Sequence, residues 1–355
     1  MSVRYVGVQW NRFKLIYDAA IALTIALFIQ LFEAVARLQL KAAGDSLSEP
    51  VQHMRAFGTC AFVLLSVILC IGPLARLDRR FLPLLYNRRH LGVAMCGVAI
   101  THAYHVLGFY HAYSNVPRFV SLLRYDAAFT RASLPFQLFG AGALVVLLLM
   151  AATSHDFWQR FLGPTTWKSL HMLVYAAYAL IVLHIAFGAL QIERRPGFAL
   201  FFIGTVALVC SLQLWAARRS QAIDPAEVRS EEGWLDAGLA RDIPVDRARP
   251  LVVPGAERIA VVRSGNQISA VHGVCAHQGG PLYEGKVIDG CLTCPWHGWQ
   301  YRAADGCSPP PFQERLITYR IRLKDGRVLV DPRPLPAGTA VPPIVLEGEP
   351  DHVRA

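Results

Sequence analysis

The first 217 residues hold six apolar runs, near 16–36, 56–75, 91–112, 134–152, 170–190 and 197–217. A bilayer's hydrocarbon core is crossed by ~20 helical residues. No water is available there, so a spanning run has to satisfy its own backbone, and runs of this length do so as helices. The fold class that follows is an α-helical membrane bundle of six transmembrane helices over 1–219. Mean hydropathy of +0.35 with only 17% charged residues places the chain outside ordinary soluble composition. The first run follows Arg4, Arg12 and Lys14 and mimics a signal peptide, but it is long and no small-x-small site closes it. It reads as an uncleaved anchor.

The net charge of +10 does not point to nucleic acid, because the basic residues cluster in short loops between apolar runs. One side carries twelve: Arg4, Arg12 and Lys14, five arginines between 76 and 89, Arg160 and Lys168, and Arg218 and Arg219. The other carries six: Lys41, Arg118, Arg124, Arg131, Arg194 and Arg195. The positive-inside rule then puts both termini in the cytoplasm.

Beyond 219 the pattern changes. A polar linker is expected over 220–233. Over 234–333 short alternating runs such as Ile259–Val262 and Gln267–Val271 are separated by turn signals, among them Ser264-Gly265-Asn266 and Asp325-Gly326. They read as a small all-β domain. The stretch 334–355 is Pro-rich and is expected to be a weakly ordered tail. The chain reads without internal repeats.

The β region carries the chemistry. Cys275-Ala276-His277 is followed, after sixteen residues, by Cys294-Pro295-Trp296-His297. C-x-H with C-x-x-H is the ligand set of a Rieske [2Fe–2S] centre, in which two thiolates hold one iron and two imidazoles the other. Gly279, Gly280 and Pro281 follow the first pair and Gly298 the second, allowing sharp turns close to the sulfurs. The competing reading is a structural zinc site that uses Cys291-Leu292-Thr293-Cys294, but C-x-H fits zinc modules poorly.

The stretch from Val274 to Asp305, VCAHQGGPLYEGKVIDGCLTCPWHGWQYRAAD, resembles Rieske domains of the oxygenase and ferredoxin type. Quinol-oxidising Rieske proteins carry an extra cysteine pair; those positions here are Gly280 and Trp296. The serine that follows His-Gly in high-potential clusters is Trp299 here, although Tyr301 is kept. Fewer hydrogen bonds to cluster sulfur imply a potential toward the low end of the Rieske range.

Histidines inside membrane helices call for a functional explanation. The third run carries His90, His102 and His105, and the fifth His171 and His184. Facing imidazoles make an axial ligand set for haem. His90 and His102 differ by roughly 18 Å of helical rise, and His171 and His184 by roughly 20 Å. One haem b is therefore expected at His102/His184 and a second at His90/His171. An ideal helix turns about 220° between His171 and His184, so the two do not share one ideal face. His105 is an alternative to His102. His53, His111 and His155 are expected at interfaces and solvated, and Asp18 and Glu33 are expected to snorkel.

Residues Ala151–Phe187, with Arg88-Arg89-His90-Leu91-Gly92 and His102, resemble the ferric reductase-like transmembrane domain. The similarity is greatest to the haem-binding membrane subunit of the bacterial periplasmic methionine sulfoxide reductase system. The resemblance implies that His102, His171 and His184 are haem ligands; His90 is added from depth alone. It also implies a bacterial inner membrane protein, in which the positive-inside count makes the Rieske domain cytoplasmic. No G-x-G-x-x-G follows a strand, and the spare His, Asp and Glu do not group as a mononuclear iron triad. The expected activity is an oxidoreductase or electron-transfer component. It would relay single electrons from a cytoplasmic donor through the cluster and haem toward quinone or a periplasmic acceptor. Two alternatives stand beside it: quinol-fed supply of a cytoplasmic oxygenase, which uses the same parts in reverse, and a membrane-tethered Rieske ferredoxin with a haem-free anchor.

Overall fold

The computed structural model describes residues 12–43, 48–77, 81–109, 111, 115–123, 136–162, 164–192, 196–223, 230–231, 233–253, 255–277, 279–295 and 298–346. The chain divides into two units between Ala216 and Ala217.

Among the described residues, the helical part holds α1 (Arg12–Ala43), α2 (Glu49–Leu77), α3 (Leu82–Phe109), α4 (Arg118–Leu123), α5 (Phe136–Ala152), α6 (Asp156–Leu162), α7 (Pro164–His171), α8 (Val174–Phe187), α9 (Ala189–Ile192) and α10 (Pro196–Ile223). Five stretches are long and apolar enough to span a membrane: Leu15–Lys41, Glu49–Ala75, Arg88–Phe109, Thr166–Gln191 and Pro196–Arg218. Helix α5, 17 residues long, is a sixth apolar helix, so all six expected runs are helical. Leu23, Leu31, Val145 and Leu200 are 60–71% exposed. In hydrocarbon that exposure carries no penalty, because lipid tails are as apolar as leucine.

The buried core of this unit is built by α2, α3, α5, α8 and α10, through Phe62, Leu65, Met95, Leu147, Tyr178 and Phe202. Interhelical hydrogen bonds tie it. The Ser66 and Tyr178 hydroxyls lie 3.0 Å apart, and the Gln213 amide donates to the Leu69 carbonyl at 3.0 Å. Helix α1 packs on α2 and α3 outside that core. Its two acids do not snorkel. Asp18 accepts from His90 Nδ1 at 2.8 Å, and Glu33, 8% exposed, accepts from His53 and Arg37. A carboxylate in the hydrocarbon region is retained only with such partners. His53 and His111 also depart from expectation, since His53 is paired with Glu33 and His111 is buried.

The other unit has eleven strands among the described residues: β1 (Ser230–Glu231), β2 (Trp234–Leu239), β3 (Arg247–Leu251), β4 (Ile259–Ser264), β5 (Gln267–His272), β6 (Lys286–Ile288), β7 (Cys291–Thr293), β8 (Gln300–Arg302), β9 (Ile321–Lys324), β10 (Arg327–Val330) and β11 (Ile344–Val345). They form a sheet ordered β1-β2-β10-β9 and a sheet ordered β11-β5-β4-β3-β6-β7-β8, with antiparallel pairings throughout. The period of two divides β4 between two cores. Ile259 and Val261 pack with Leu235, Val328 and Val330 between the sheets. Ala260 and Val262 pack with Cys275, Leu292, Cys294 and Tyr301. One face of β4 thus holds the sandwich together and the other is the platform for the two cysteine loops.

The expected weak tail is not one as far as Leu346. Strand β11 pairs with β5, Gly338 N donates to the Leu316 carbonyl, and Thr318 donates to the Thr339 carbonyl. Prolines suit an edge position, where no ladder donor is needed. Helix α10 also runs past 219, to Ile223, so the linker is shorter than expected; residues 224–229, 232 and 347–355 lie outside the described set.

Asp331, just after β10, is almost fully buried and accepts from Arg333 Nη2 and Nε at 2.9 Å each. The Arg333 guanidinium holds its carboxyl below the usual carboxylate range. A depressed folded-state pKa adds stability that is present above the ordinary Asp value near 4 and is lost as pH falls through the folded value. Asp331→Asn is expected to lower domain stability at pH 7 by ~1 kcal/mol, a figure held down by the solvent exposure of Arg333 and of Arg320, whose Nη1 lies 3.8 Å from the same carboxylate. It is also expected to flatten the acid limb of thermal stability below about pH 4. Thermal melts of both proteins across pH 2–7 check this.

Candidate cluster and haem sites

The two cysteine loops are copies of one turn. Cys275 lies between β5 and β6, and Cys294 between β7 and β8. Gly279 N donates to the Cys275 carbonyl at 2.8 Å, and Cys275 N donates to the Gly280 carbonyl at 2.8 Å. In the second loop Gly298 N donates to the Cys294 carbonyl at 3.0 Å, and Cys294 N to the Trp299 carbonyl at 2.8 Å. Gly279 and Gly298 have φ of 70° and 68°, a left-handed conformation that only glycine takes readily. Both cysteines are buried, and none of the chain's cysteines is in a disulfide. His297 and Trp296 lie outside the described residues.

Tyr301, fully buried on β8, joins the loops. Its hydroxyl is 3.3 Å from Cys275 Sγ and accepts from His277 N at 3.2 Å. Burial, reinforced by the neighbouring Cys275, pushes its phenol pKa up, so it stays a neutral donor. Trp299 stacks flat on the His277 imidazole, ring centres 3.9 Å apart and 5° from parallel. Trp299 Nε1 donates to Ser308 at 3.0 Å, and Phe312 covers the ring at 4.3 Å. This position, read in sequence only as a missing serine, therefore fixes the imidazole plane. Two buried thiols on mirrored loops with a histidine two residues past the first suit a two-iron cluster.

In the membrane unit, the His102 and His184 ring centres are 6.3 Å apart, with planes 80° to each other. Two imidazoles on opposite sides of one metal, each bonded at about 2 Å with a ring radius of about 1 Å, stand about 6 Å apart. His102 Nδ1 lies 2.9 Å from the Met54 carbonyl and His184 Nδ1 2.9 Å from the Phe136 carbonyl. A carbonyl only accepts, so each Nδ1 carries the proton and each Nε2 keeps its lone pair for a metal. A Cβ added at Gly58 would come within 2.9 Å of the His102 ring, and one at Gly140 within 2.8 Å of the His184 ring. The pair, its carbonyl braces and its glycine beds fit a bis-imidazole haem.

The two halves are related by a constant offset of 82 residues, Met54 to Phe136, Gly58 to Gly140 and His102 to His184. The chain therefore contains an internal duplication of histidine supports, α2–α3 and α5–α8, contrary to the expectation of no repeats. Phe57-Gly58 and Phe139-Gly140, each ending 44 residues before a histidine, are its trace in the sequence. Gly140→Val should force the His184 ring to shift and lower haem occupancy, while Gly142→Val, whose Cβ meets only Leu180 at 3.5 Å, should leave it near normal. Haem-to-protein absorbance ratios of the purified variants check this.

The other histidines are placed separately. His90 Nδ1 sits on both Asp18 oxygens, at 2.8 and 3.0 Å, which turns that nitrogen toward α1. His171 stacks on Trp167 at 3.9 Å, and its Nε2 lies 3.3 Å from the Thr153 hydroxyl. Trp167 Nε1 donates to the Thr153 carbonyl, and Arg89 lies over the Trp167 ring at 5.0 Å. Both His171 and His184 face the α5 side, because the span is broken between α7 and α8. Leu173 N bonds to the Leu170 carbonyl and Tyr175 N to the Met172 carbonyl, a tightened turn that rephases the helix. His105 stacks against His53 and Phe57, at 5.7 and 5.6 Å, whereas His102 is the residue that meets His184.

A family model for the Rieske [2Fe–2S] domain matches residues 233–320, and one for the ferric reductase like transmembrane component matches residues 57–182. The anthranilate 1,2-dioxygenase ferredoxin subunit of Burkholderia cepacia is 39% identical over 80 residues, 22% of this chain and 74% of that protein. The chloroplastic chlorophyllide a oxygenase of Chlamydomonas reinhardtii is 32% identical over 100 residues, 27% of this chain but only 15% of that protein's length. Among solved structures, a chain in the complex of reduced oxygenase and oxidized ferredoxin in carbazole 1,9a-dioxygenase is 28% identical. The match covers 31% of this chain and 97% of that chain, at a TM-score of 0.27.

Proposed function

We propose, from the premise that this chain belongs to the Rieske [2Fe–2S] family and is an integral membrane electron-transfer protein with a ferric reductase-like domain, that it relays single electrons between a Rieske cluster and transmembrane haem b. Cys275 and Cys294 hold one iron of the cluster and His277 and His297 the other. His102 and His184 hold a haem between α3 and α8. Both groups contribute one-electron chemistry, and the protein sets their distance, potential and insulation.

The observation that carries this reading is the His102–His184 pair at 6.3 Å, with both Nδ1 protons committed to carbonyls. A lipid anchor has no use for two such imidazoles, since polar side chains in the bilayer cost free energy. A second haem at His90 and His171 belongs to the same reading. His90 is suited to it, as the Asp18 carboxylate on Nδ1 fixes the ring and leaves Nε2 for a metal. His171 would have to release its Nε2 from Thr153.

Electrons run from a cytoplasmic donor, through the cluster and haem, to quinone or a periplasmic acceptor in a bacterial inner membrane. The resemblance to a dioxygenase ferredoxin subunit favours, as a second reading, the opposite flow toward a cytoplasmic oxygenase. Optical and EPR spectra of the detergent-purified protein, oxidised and dithionite-reduced, test the proposal. A Rieske EPR signal with one or two haems b per chain by pyridine haemochrome is expected. A Rieske signal without haem would leave only a tethered ferredoxin.

A further inference from the structure

The hydrocarbon-facing side of the bundle carries a groove of about 520 Å³ between α1, α2 and α3. Ile25, Ile29 and Gln30 line it from α1, Phe57 from α2, and Gly97 and Thr101 from α3. Its wall is apolar for most of its length, with polar side chains only at Gln30 and Thr101, toward one end. One helical turn beyond that end, each helix places a titratable or charged-partner residue on the same face: Glu33 follows Gln30 by three, His53 precedes Phe57 by four, and His105 follows Thr101 by four. These residues meet. Glu33 Oε1 is 2.5 Å from His53 Nδ1, Arg37 donates to Glu33 Oε2 at 3.2 Å, and the His53 and His105 rings stack at 5.7 Å. Phe57 and Tyr104 flank His105 at 5.6 Å each. Glu33 is 8% exposed and the His53 side chain 41%, so a buried carboxylate is joined to a solvent-accessible imidazole one turn beyond the end of the apolar slot. The next residue after Thr101 is His102.

We infer that this groove binds an isoprenoid quinone, its ring at the Gln30/Thr101 end, and that the Glu33–His53 pair supplies its protons. The inference rests on the relay proposed above and deepens it, choosing quinone among the acceptors. An apolar slot open to lipid suits an isoprenoid tail, and the Gln30 side-chain amide at its end can donate to a ring carbonyl, while the Thr101 hydroxyl donates to the Gly97 carbonyl at 3.0 Å. The chemistry balances there. A quinone that becomes quinol gains two electrons, delivered one at a time by way of the His102/His184 site, and two protons, one on each carbonyl oxygen, each passed on by the Glu33–His53 pair and replaced there from water at the exposed His53 edge. A site that passes electrons alone has no need of a Glu–His pair beside it. The family-model match begins at residue 57, so Glu33 and His53 lie outside it.

The test uses the full-length holoprotein in lipid nanodiscs and decylubiquinone as the probe. Binding is read by titration calorimetry, and oxidation of dithionite-reduced haem by the probe is read optically. A Cβ at Gly97 meets nothing within 4 Å, so Gly97→Leu places its side chain into the open groove. It is expected to weaken decylubiquinone binding by at least about tenfold. Glu33→Gln is expected to bind the probe normally, to slow probe-driven haem oxidation about 100-fold and to flatten its pH profile, with Glu33→Asp regaining part of the rate. Oxidation by ferricyanide, which takes no protons, should be unchanged in all three. No binding to the parent protein, unchanged binding in Gly97→Leu, or an unchanged rate in Glu33→Gln would each overturn the inference. Absence of haem would instead remove the relay, and the calorimetric arm would still report on the groove.

Discussion

In His184→Ala, the haem held between α3 and α8 is expected to be lost while the Rieske EPR signal persists at full intensity. His184 is one of two imidazoles whose spacing suits a single iron, and its Nδ1 is braced on the Phe136 carbonyl. Loss of a brace of that kind typically costs about 10–100-fold in metal affinity. Loss of the ligand itself costs more, and alanine also leaves a cavity over Gly140 that lipid or water can enter. His102→Ala should behave in the same way, because the 82-residue duplication makes the two positions equivalent. His184→Met is the informative companion. It keeps an axial ligand, so haem should be retained with a raised potential. His105→Ala should leave the spectrum intact, since that ring lies on His53 and Phe57. Full haem content in His184→Ala, or its loss in His105→Ala, would move the site.

Replacing Cys294 with alanine produces the complementary phenotype, with the cluster gone and haem retained. A cluster iron held by one thiolate in place of two cannot be kept, and Cys294 is buried on the β4 platform, away from solvent ligands. The domain should lose stability as well, because the cluster cross-links the loops after β5 and β7. Haem content is expected to stay within about 20% of the parent, given that none of the helical supports named above involves these loops. Loss of haem together with the cluster would mean that the two units depend on each other to fold.

Much of this was legible from residue spacing. Six runs near 20 residues became six helices because length and apolarity leave a bilayer segment no other structure. The cysteine loops were legible because turns that tight need glycine, and Gly279 and Gly298 are at the left-handed positions. Other features were hidden for identifiable reasons. The pairing of His90 with Asp18 and of His53 with Glu33 joins residues on different helices, 72 and 20 positions apart, and periodicity along one helix carries no trace of it. The rephasing at Leu173 depends on two backbone hydrogen bonds in an otherwise unremarkable apolar run. Residues 334–346 were misjudged because proline content signals a missing donor, and an edge strand such as β11 can spare one. The duplication was missed because glycine and a preceding phenylalanine are common in membrane helices. Only the contact of each glycine with an imidazole gives the pattern meaning.

The central claim is that one chain passes electrons between its Rieske cluster and its haem. It is tested most directly by single-turnover stopped-flow spectroscopy of the full-length protein in nanodiscs. A small reductant in substoichiometric amount, chosen to reduce the cluster and not the haem of the Cys294→Ala variant, is mixed anaerobically with oxidised protein. The parent is expected to show cluster reduction followed by haem reduction, with the second phase absent in Cys294→Ala. Haem that stays oxidised in the parent while the electrons remain on the cluster, or haem reduced equally fast without the cluster, would contradict the relay.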